Sequence, residues 1–224
     1  MPGFGPDTVR FLHDLHANND RDWFQANRDR YEAHWLAPAC AFVTAAGDAL
    51  HQFAPDVHAE PRIDGSLFRV HRDTRFTEDK TPYRDHLALW FWHGDRPTAV
   101  TGFHLRITPT SVVLAAGARR FDRDHQTRFR NAVVDPTAGA ALLRAETAVT
   151  KAGHHLDGEQ LRSGPRGWSS PDDRRSRLLR HTGLVAVTES THPASMDTAR
   201  FIGWCTRRWR QMAPIHRWLV DHVV

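Results

Sequence analysis

The fold is decided by residues 86–117, HLALWFWHGDRPTAVTGFHLRITPTSVVLAAG, which contain three apolar runs joined by two short links. The aromatic and β-branched residues of these runs are typical of strands. Both links contain proline, and the second is short enough for a hairpin turn. Consecutive strands with short links predict an antiparallel meander. The predicted strands are His86–His93, Thr101–Ile107 and Val112–Gly117, and the predicted turns are Gly94–Pro97 and Thr108–Ser111.

Two further segments have the character of strands, Ser66–Arg72 before the meander and Leu184–Thr188 after it. Residues 1–54 and 122–224 instead carry apolar and aromatic side chains at spacings of three and four, which predicts helices. We therefore expect an α+β fold, in which an antiparallel β-meander sheet of four or five strands is covered by N- and C-terminal helices. We expect one domain over residues 1–224, with N-terminal helices in 1–54, the sheet in 65–118 and a mainly helical part in 122–224.

Several residues mark where helices begin and end. Asp20 is a good N-cap, and Asp135, which a proline follows, is another. Pro38 is expected to break or kink the second helix, because proline lacks the backbone N–H that a helix interior needs. The last helix is expected from about Met196, with an interruption near Pro214.

The composition is that of an ordinary globular protein, with 40% hydrophobic and 25% charged residues and a net charge of +4. A mildly basic protein suits an anionic ligand, although the charge is well below that of a nucleic-acid-binding tail. No apolar run approaches the roughly 18 residues of a membrane span, so no membrane partner is expected. Cys40 and Cys205 lie far apart in apolar helical stretches and are expected to be reduced, which favours the cytoplasm.

The usual motifs of several enzyme classes do not occur in the sequence. There is no phosphate-binding loop, no dinucleotide fingerprint, no His-Glu-x-x-His, no Gly-x-Ser-x-Gly and no Cys-x-x-Cys. These absences count against a P-loop ATPase, a dinucleotide oxidoreductase, a zincin and an α/β-hydrolase. The 16 histidines show no metal-ligand spacing, so no metal site is predicted, and no cofactor is indicated.

The most unusual stretch is residues 69–84, RVHRDTRFTEDKTPYR, which carries five Arg or Lys residues and three acids between two apolar segments. Such a loop on a rigid sheet is a common place for a binding or catalytic site. Guanidinium and ammonium groups are suited to phosphate or carboxylate. The alternative is that the charges pair with one another and only latch the loop over the sheet. The candidate ligand-binding residues are Arg69, Arg72, Arg75 and Arg84, and the candidate catalytic residues are Lys80 and Tyr83.

Strand alternation adds His104 as a third candidate catalytic residue. If the strands are neighbours, Arg69, His71, His104 and Arg106 share a polar sheet face, which either lines a pocket or is simply solvated. On the strand of the meander that comes first, Trp90 and Trp92 share a face with His86 and Ala88 and would wall such a pocket. Arg166, in the Gly164–Trp168 loop, either contacts the ligand from a lid or belongs to an ordinary surface turn.

Three function hypotheses follow. The leading one is a small-molecule site, enzymatic in character, for an anionic or phosphorylated ligand on loop 69–84. A less favoured alternative is nucleic-acid binding through short arginine clusters, which would have to lie on one surface. The third is a structural or partner-binding module without catalysis. The arginine clusters are Arg119-Arg120, Arg174 to Arg180 and Arg207 to Arg210.

The central run, Gly65 to Arg84, resembles the bacterial family catalogued as domain of unknown function 2461. Three flanking blocks are similar to the same family, and together they span nearly the whole chain: NDRDWFQAN with RYE (19–27, 30–32), GFHL (102–105) and MAPIHRWL (212–219). The resemblance implies a soluble single-domain protein without an established reaction, and it assigns no catalytic residue. His71 departs from the family pattern, where an aromatic such as tyrosine is expected, and this weakens any essential role for it.

Overall fold

The computed structural model describes residues 3–96 and 98–224, so the predicted turn Gly94–Pro97 ends on a residue outside them. The helices are α1 Pro6–Ala17, α2 Arg21–Ala26, α3 Arg28–Tyr31, α4 Ala37–His51, α5 Arg123–Val134, α6 Pro136–Lys151, α7 Asp173–Leu178 and α8 Arg200–His222, and a π-helical turn at Glu32–Leu36 joins α3 to α4. The strands are β1 Val57–His58, β2 Leu87–His93, β3 Gly102–Ile107, β4 Ser111–Ala118, β5 His155–Asp157 and β6 Leu184–Thr191.

The strands form one antiparallel sheet in the order β1-β2-β3-β4-β6-β5, flanked by helices. The predicted α+β class and the meander β2-β3-β4 are confirmed. The sheet has six strands instead of four or five. The strands β1 and β5, of two and three residues, were not predicted because they are too short to show an alternating pattern.

The predicted strand Ser66–Arg72 is wrong. This segment makes two isolated bridges, from Leu67 to Leu89 of β2 and from His71 to Tyr83. Its ladder stops because it changes partner along its length, and because Pro82, beside the second bridge, has no N–H to donate. The main-chain N–H of Arg72 donates to the Pro82 carbonyl at 2.8 Å instead.

Contacts along the chain group its residues into two compact units, each of which contains part of the sheet. The first unit holds the residues up to Phe91 with 104–114 and 189–207, and the second holds 92–103, 115–188 and 208–224. The prediction of a single domain stays a prediction.

Pro38 does not end the second helix, because the structure compensates for its missing N–H. In a continuous helix that N–H would donate to the carbonyl of His34, four residues back. The buried hydroxyl of Thr8, on α1, donates to this carbonyl instead at 2.6 Å. The chain continues through the π-helical turn into α4, and Trp35 stays in the core at 1% exposure.

The remaining helix boundaries test the capping signals. Asp20 accepts a hydrogen bond from the N–H of Trp23 at 2.8 Å, and Asp135 accepts from Thr137 and Ala138 at 2.9 and 2.7 Å. Both N-caps are confirmed. The predicted start and interruption of the last helix are wrong, because α8 begins at Arg200 and continues through Pro214.

Gly117, in β4 of the second unit, provides a test of the sheet. Its φ of 134° favours glycine, and a Cβ there would lie 2.3 Å from the carbonyl oxygen of Leu184 in β6. We expect Gly117→Ala to lower the free energy of unfolding by about 2–3 kcal/mol, measured by chemical denaturation. The control is Gly164→Ala, where a Cβ meets nothing within 4 Å, and its expected change is within about 0.5 kcal/mol. Equal losses in both variants would contradict the close approach of β4 and β6.

Candidate functional site

The loop 69–84 is closed at its base by main-chain and side-chain hydrogen bonds. The N–H of Arg84 donates to the Val70 carbonyl at 2.7 Å, which holds the two ends of the loop together. The amide side chain of Asn19 binds both main-chain groups of Tyr83, donating to its carbonyl at 2.9 Å and accepting from its N–H at 3.0 Å. One side chain of the α1–α2 connection therefore fixes the end of the loop.

The Tyr83 ring anchors the loop in the core of the first unit. It is 4% exposed and stacks on Phe24 with a centroid distance of 4.1 Å, and the ring of His71 lies 5.1 Å away. Burial raises the pKa of the Tyr83 hydroxyl above its ordinary value. These contacts are those of a packing residue, and a raised pKa makes the hydroxyl a weaker acid.

The candidate cations within the loop bind groups of the loop itself or of the residues just before it. Arg69 pairs with Asp64 at 2.8 Å, and Arg75 pairs with Asp73 at 2.6 Å. Arg72 donates to Asp79 and Thr81. Lys80 donates to the Thr74 carbonyl at 2.9 Å. This pattern favours the latch interpretation of these four residues over that of an anion site.

The tip of the loop also lacks the shape of a pocket. Phe76 is 91% exposed, with the Arg75 guanidinium 5.5 Å from its ring centroid. The side chains from Arg75 to Lys80 are all exposed. A ligand at the tip would remain largely in water, where single charge contacts contribute little.

A second set of candidate residues lies on the outer face of β2. Leu87, Leu89 and Phe91 point into the core, so the alternation of the strand places the residues between them on the opposite face. The ring of Trp90 stacks on that of His104 in β3, with 5.8 Å between the ring centroids and an angle of 10° between the ring planes. We define the Ala88 face as the side chains of Phe68, Ala88, Trp90, His104 and Arg106, together with Arg84 and His86, which precede β2 and lie near Phe68 and Arg106.

The Ala88 side chain lies between two larger groups. The N–H of Phe68 donates to the Ala88 carbonyl at 3.1 Å, which places Phe68 beside Ala88. On the other side, the antiparallel pairing that puts Trp90 beside His104 also puts Ala88 opposite Arg106. Ala88, the smallest side chain of the face, therefore lies between Phe68 and Arg106, and we call it the floor of the face.

Two arginines of this face are free of acid partners. The guanidinium of Arg84 lies 5.8 Å from the Phe68 ring centroid, and the side chain of Arg106 is exposed. Neither makes an ion pair with any carboxylate of residues 3–96 and 98–224. Their positive charge is thus available to an anion in a way that the charges of Arg69, Arg72 and Arg75 are not.

A histidine–aspartate cluster adjoins the Ala88 face. Asp85 lies between His16 of α1 and His86, with oxygen-to-nitrogen distances of 2.6 and 3.3 Å. Burial alone would raise the pKa of Asp85, but the hydrogen bonds from His16 and His86 outweigh it and keep the pKa below its ordinary value. The pKa of His86 is lowered by burial, which outweighs the opposing effect of Asp85, and Arg106 and Arg84 lower it further.

The other predicted site residues are arranged differently. His104 and Arg106 share the outer face as predicted, but His71 packs against Phe24 and Tyr83, and Arg69 pairs with Asp64. Arg166 belongs to the second unit, where it is exposed. Within that unit its loop is tied to α5, because Trp168 donates to Asn131 at 2.8 Å.

The second unit contains a shallow groove of about 490 Å³ near α5, the start of α6 and the end of α8. Three of its polar side chains already have partners. Arg128 donates to the Val224 carbonyl at 2.7 Å, Asn131 accepts from Trp168, and Asp135 caps α6. This groove therefore lacks the free charge that distinguishes the Ala88 face.

The described part of the chain has neither a metal-binding cluster nor a helix that could span a membrane. Among these residues, no group of three or more His, Cys, Asp or Glu side chains is placed to hold a metal ion. No helix among them combines the length and apolar character that crossing a membrane requires.

Sequence reasoning did not assign roles to Asn19, His16 or Asp85. The sequence analysis placed His86 with Ala88 and Trp90, but it left Arg84, which precedes β2, in the charged loop. No local signal could have joined His16 to Asp85, because the two lie 69 residues apart in sequence.

The two hydrogen bonds between the Asn19 side chain and the main chain of Tyr83, which we call the Asn19 clamp, give a prediction about stability. We expect Asn19→Ala to lower the free energy of unfolding by about 2 kcal/mol, because it leaves a half-buried N–H and carbonyl without their partner. The control is Asn18→Ala, which removes one exposed hydrogen bond to the Asp14 carbonyl and should cost less than about 0.5 kcal/mol. Chemical denaturation measures both. A loss for Asn19→Ala no larger than that of the control would show that the clamp does not hold the loop.

The loop also gives a prediction of pH dependence. Hydrogen bonds from Arg72 and Thr81 lower the pKa of Asp79 to about 2, and those from Arg75 lower that of Asp73 to about 2. A lowered pKa stabilises the closed loop at pH values above the ordinary Asp value of about 3.9, and this contribution is lost as the pH falls toward 2. Carbon-13 NMR titration should show both midpoints near 2, and Arg72→Ala should raise that of Asp79 but not that of Asp73. A midpoint near 4 for Asp79 in the unsubstituted protein would contradict the pair.

Comparison with known proteins agrees with the resemblance noted in the sequence. The family model described as "Conserved hypothetical protein (DUF2461)" matches residues 7–218. No curated protein and no solved structure matches the chain. The match covers both compact units, including the clamp, the charged loop and the whole Ala88 face. The chain therefore belongs to the domain of unknown function 2461 family.

Proposed function

We propose that this protein binds a small anionic molecule that also carries a planar group, and that the ligand sits over Ala88 on the Ala88 face. The observation that carries the proposal is that Arg106, opposite Ala88, and Arg84, beside Phe68, have no acid partner in the described chain. An arginine that is not neutralised presents a planar fork of donors, which matches the oxygens of phosphate or carboxylate.

The planar part of the ligand follows from the aromatic side chains. Trp90 and His104 form a parallel pair beside the floor, and Phe68 lies on its other side. Rings of this kind favour stacking with another flat group. A nucleoside monophosphate or an aryl phosphate has both the charge and the ring that the face would recognise.

The proposal keeps the ligand class expected from the sequence and changes its location. Arg84 stays a ligand contact, and His104, a candidate catalytic residue from the sequence, becomes a stacking contact. Arg69, Arg72, Arg75 and Lys80 act as a latch that closes the loop, and Tyr83 anchors it. We also propose that the protein is cytoplasmic, because Cys40 and Cys205 are free thiols.

Nucleic-acid binding has less support. In one of the arginine clusters, Arg174 donates to Glu146 at 2.7 Å and Arg175 donates to the carbonyls of Asp135 and Pro136. These side chains hold α7 against α6, and such engaged arginines are poor phosphate contacts.

Ligand binding tests the proposal directly. We expect adenosine monophosphate to raise the melting temperature at fixed ionic strength, and Arg106→Ala to weaken its binding, measured by calorimetry, at least tenfold through the loss of a charge-assisted hydrogen bond. The matched control is Arg10→Ala, which removes the same charge from an exposed pair on α1 and should change the affinity less than twofold. Ala88→Leu should also abolish binding, because it fills the floor without changing the charge.

Each other result has a defined meaning. Equal weakening by Arg10→Ala and Arg106→Ala would indicate non-specific attraction to the net charge and contradict the site. No binding of either adenosine monophosphate or phenyl phosphate would also overturn the proposal. Binding of an oligonucleotide with a steep dependence on salt would support the nucleic-acid alternative.

A further inference from the structure

His86, Asp85 and His16 form a chain of hydrogen-bonding groups at one end of the Ala88 face. His86 lies just before β2, in which Ala88 is the second residue, and it is close enough to Arg106 and Arg84 for their charges to act on its ring. The Nδ1 atom of His86 faces Asp85 at 3.3 Å, which leaves its Nε2 atom for another partner. The other carboxylate oxygen of Asp85 binds Nδ1 of His16 at 2.6 Å.

The groups around His86 favour its neutral form. Besides Asp85 on the same segment and His16 on α1, the charged groups that face it are Arg84 and Arg106. The combined effect of burial and of these charges is a pKa below the ordinary 6.5. At neutral pH the ring can therefore accept a proton, and Asp85 orients it, which is the arrangement of a general base with its positioning residue.

We propose, on the basis of the ligand site proposed above, that the Ala88 face hydrolyses phosphate monoesters of planar alcohols, with His86 as the general base. The two unpaired guanidinium groups match the two negative charges of a phosphate monoester, which favours this class over a singly charged diester. The aromatic pair Trp90–His104 favours a flat leaving group, such as an aryl alcohol or a nucleoside.

The reaction needs only water as a second reactant. The water oxygen forms a bond to phosphorus while Nε2 of His86 takes one of its protons. The bond between phosphorus and the ester oxygen breaks, and its electron pair leaves with the alcohol oxygen, which takes a proton from solvent. His86 then returns its proton to solvent. Arg84 and Arg106 stabilise the negative charge on the phosphoryl oxygens during the transfer.

The test is release of p-nitrophenol from p-nitrophenyl phosphate, followed by absorbance, with all variants purified in parallel. We expect turnover by the unsubstituted protein and a fall of about 10²–10⁴-fold in His86→Gln, the range for loss of a general base. The control is His13→Gln, an exposed histidine one turn before His16 on α1, which should retain the full rate. Circular dichroism and melting temperature establish that each variant is folded.

The pH profile distinguishes a catalytic from a structural role. Because His86 acts as a base, kcat/KM should fall as the pH drops through its pKa, with a midpoint below 6.5. Asp85→Asn removes the negative charge that favours protonated His86, so the midpoint should move further down while kcat also falls through the loss of orientation. A purely structural role for Asp85 would change the stability and leave the midpoint where it was.

The outcomes separate this inference from the proposed function. If phenyl phosphate binds at the Ala88 face but no p-nitrophenol is released above the rate of His86→Gln, the hydrolysis is refuted and the binding function stands. If neither binding nor turnover is found, both are refuted. Turnover that survives unchanged in His86→Gln also refutes the assignment, because the activity then belongs to another site or to a contaminant.

Discussion

The two-residue period of β2 is the constraint on which the rest of the structure depends. It sends Leu87, Leu89 and Phe91 into the core, each essentially without exposure, and so leaves Ala88 and Trp90 on the other face. A shift of one residue would expose these three large apolar side chains. Burial of these three contributes about 1.5–3 kcal/mol each, which makes such a shift costly. The position of the outer-face residues is therefore a consequence of the core.

Charge in the first unit is divided between two environments. Around the loop the arginines are matched to nearby acids, and they act on the shape of the chain. On the outer face Arg84 and Arg106 have no such acids among the described residues, so no ion pair there neutralises their charge. Exposed ion pairs contribute little to stability, so the loop depends more on the Asn19 clamp and the buried Tyr83 ring than on its own charges. The residues with the most conspicuous sequence pattern thus have the more modest role.

Sequence reasoning succeeded where the signal is local. The strands of the meander, the N-caps Asp20 and Asp135 and the shared face of Ala88 and Trp90 all follow from neighbours within a few residues. It failed where the partner is distant. Nothing near Ser66–Arg72 shows that its ladder is cut short, and nothing near Pro38 shows that Thr8 replaces its missing N–H. A sequence pattern indicates which secondary structure a segment is able to form. The partners available in the folded chain decide which one it does form.

The sequence by itself determined the α+β class and the family, because these depend on periodicity and on local blocks of residues. Tertiary structure decided which arginines are paired. Arg72 and Arg84 lie in the same charged run and look alike in sequence, yet one binds Asp79 while the other lies against Phe68. The distinction arises because the loop folds back on itself through Val70 and Arg84, which brings Asp79 to Arg72 and leaves Arg84 against Phe68.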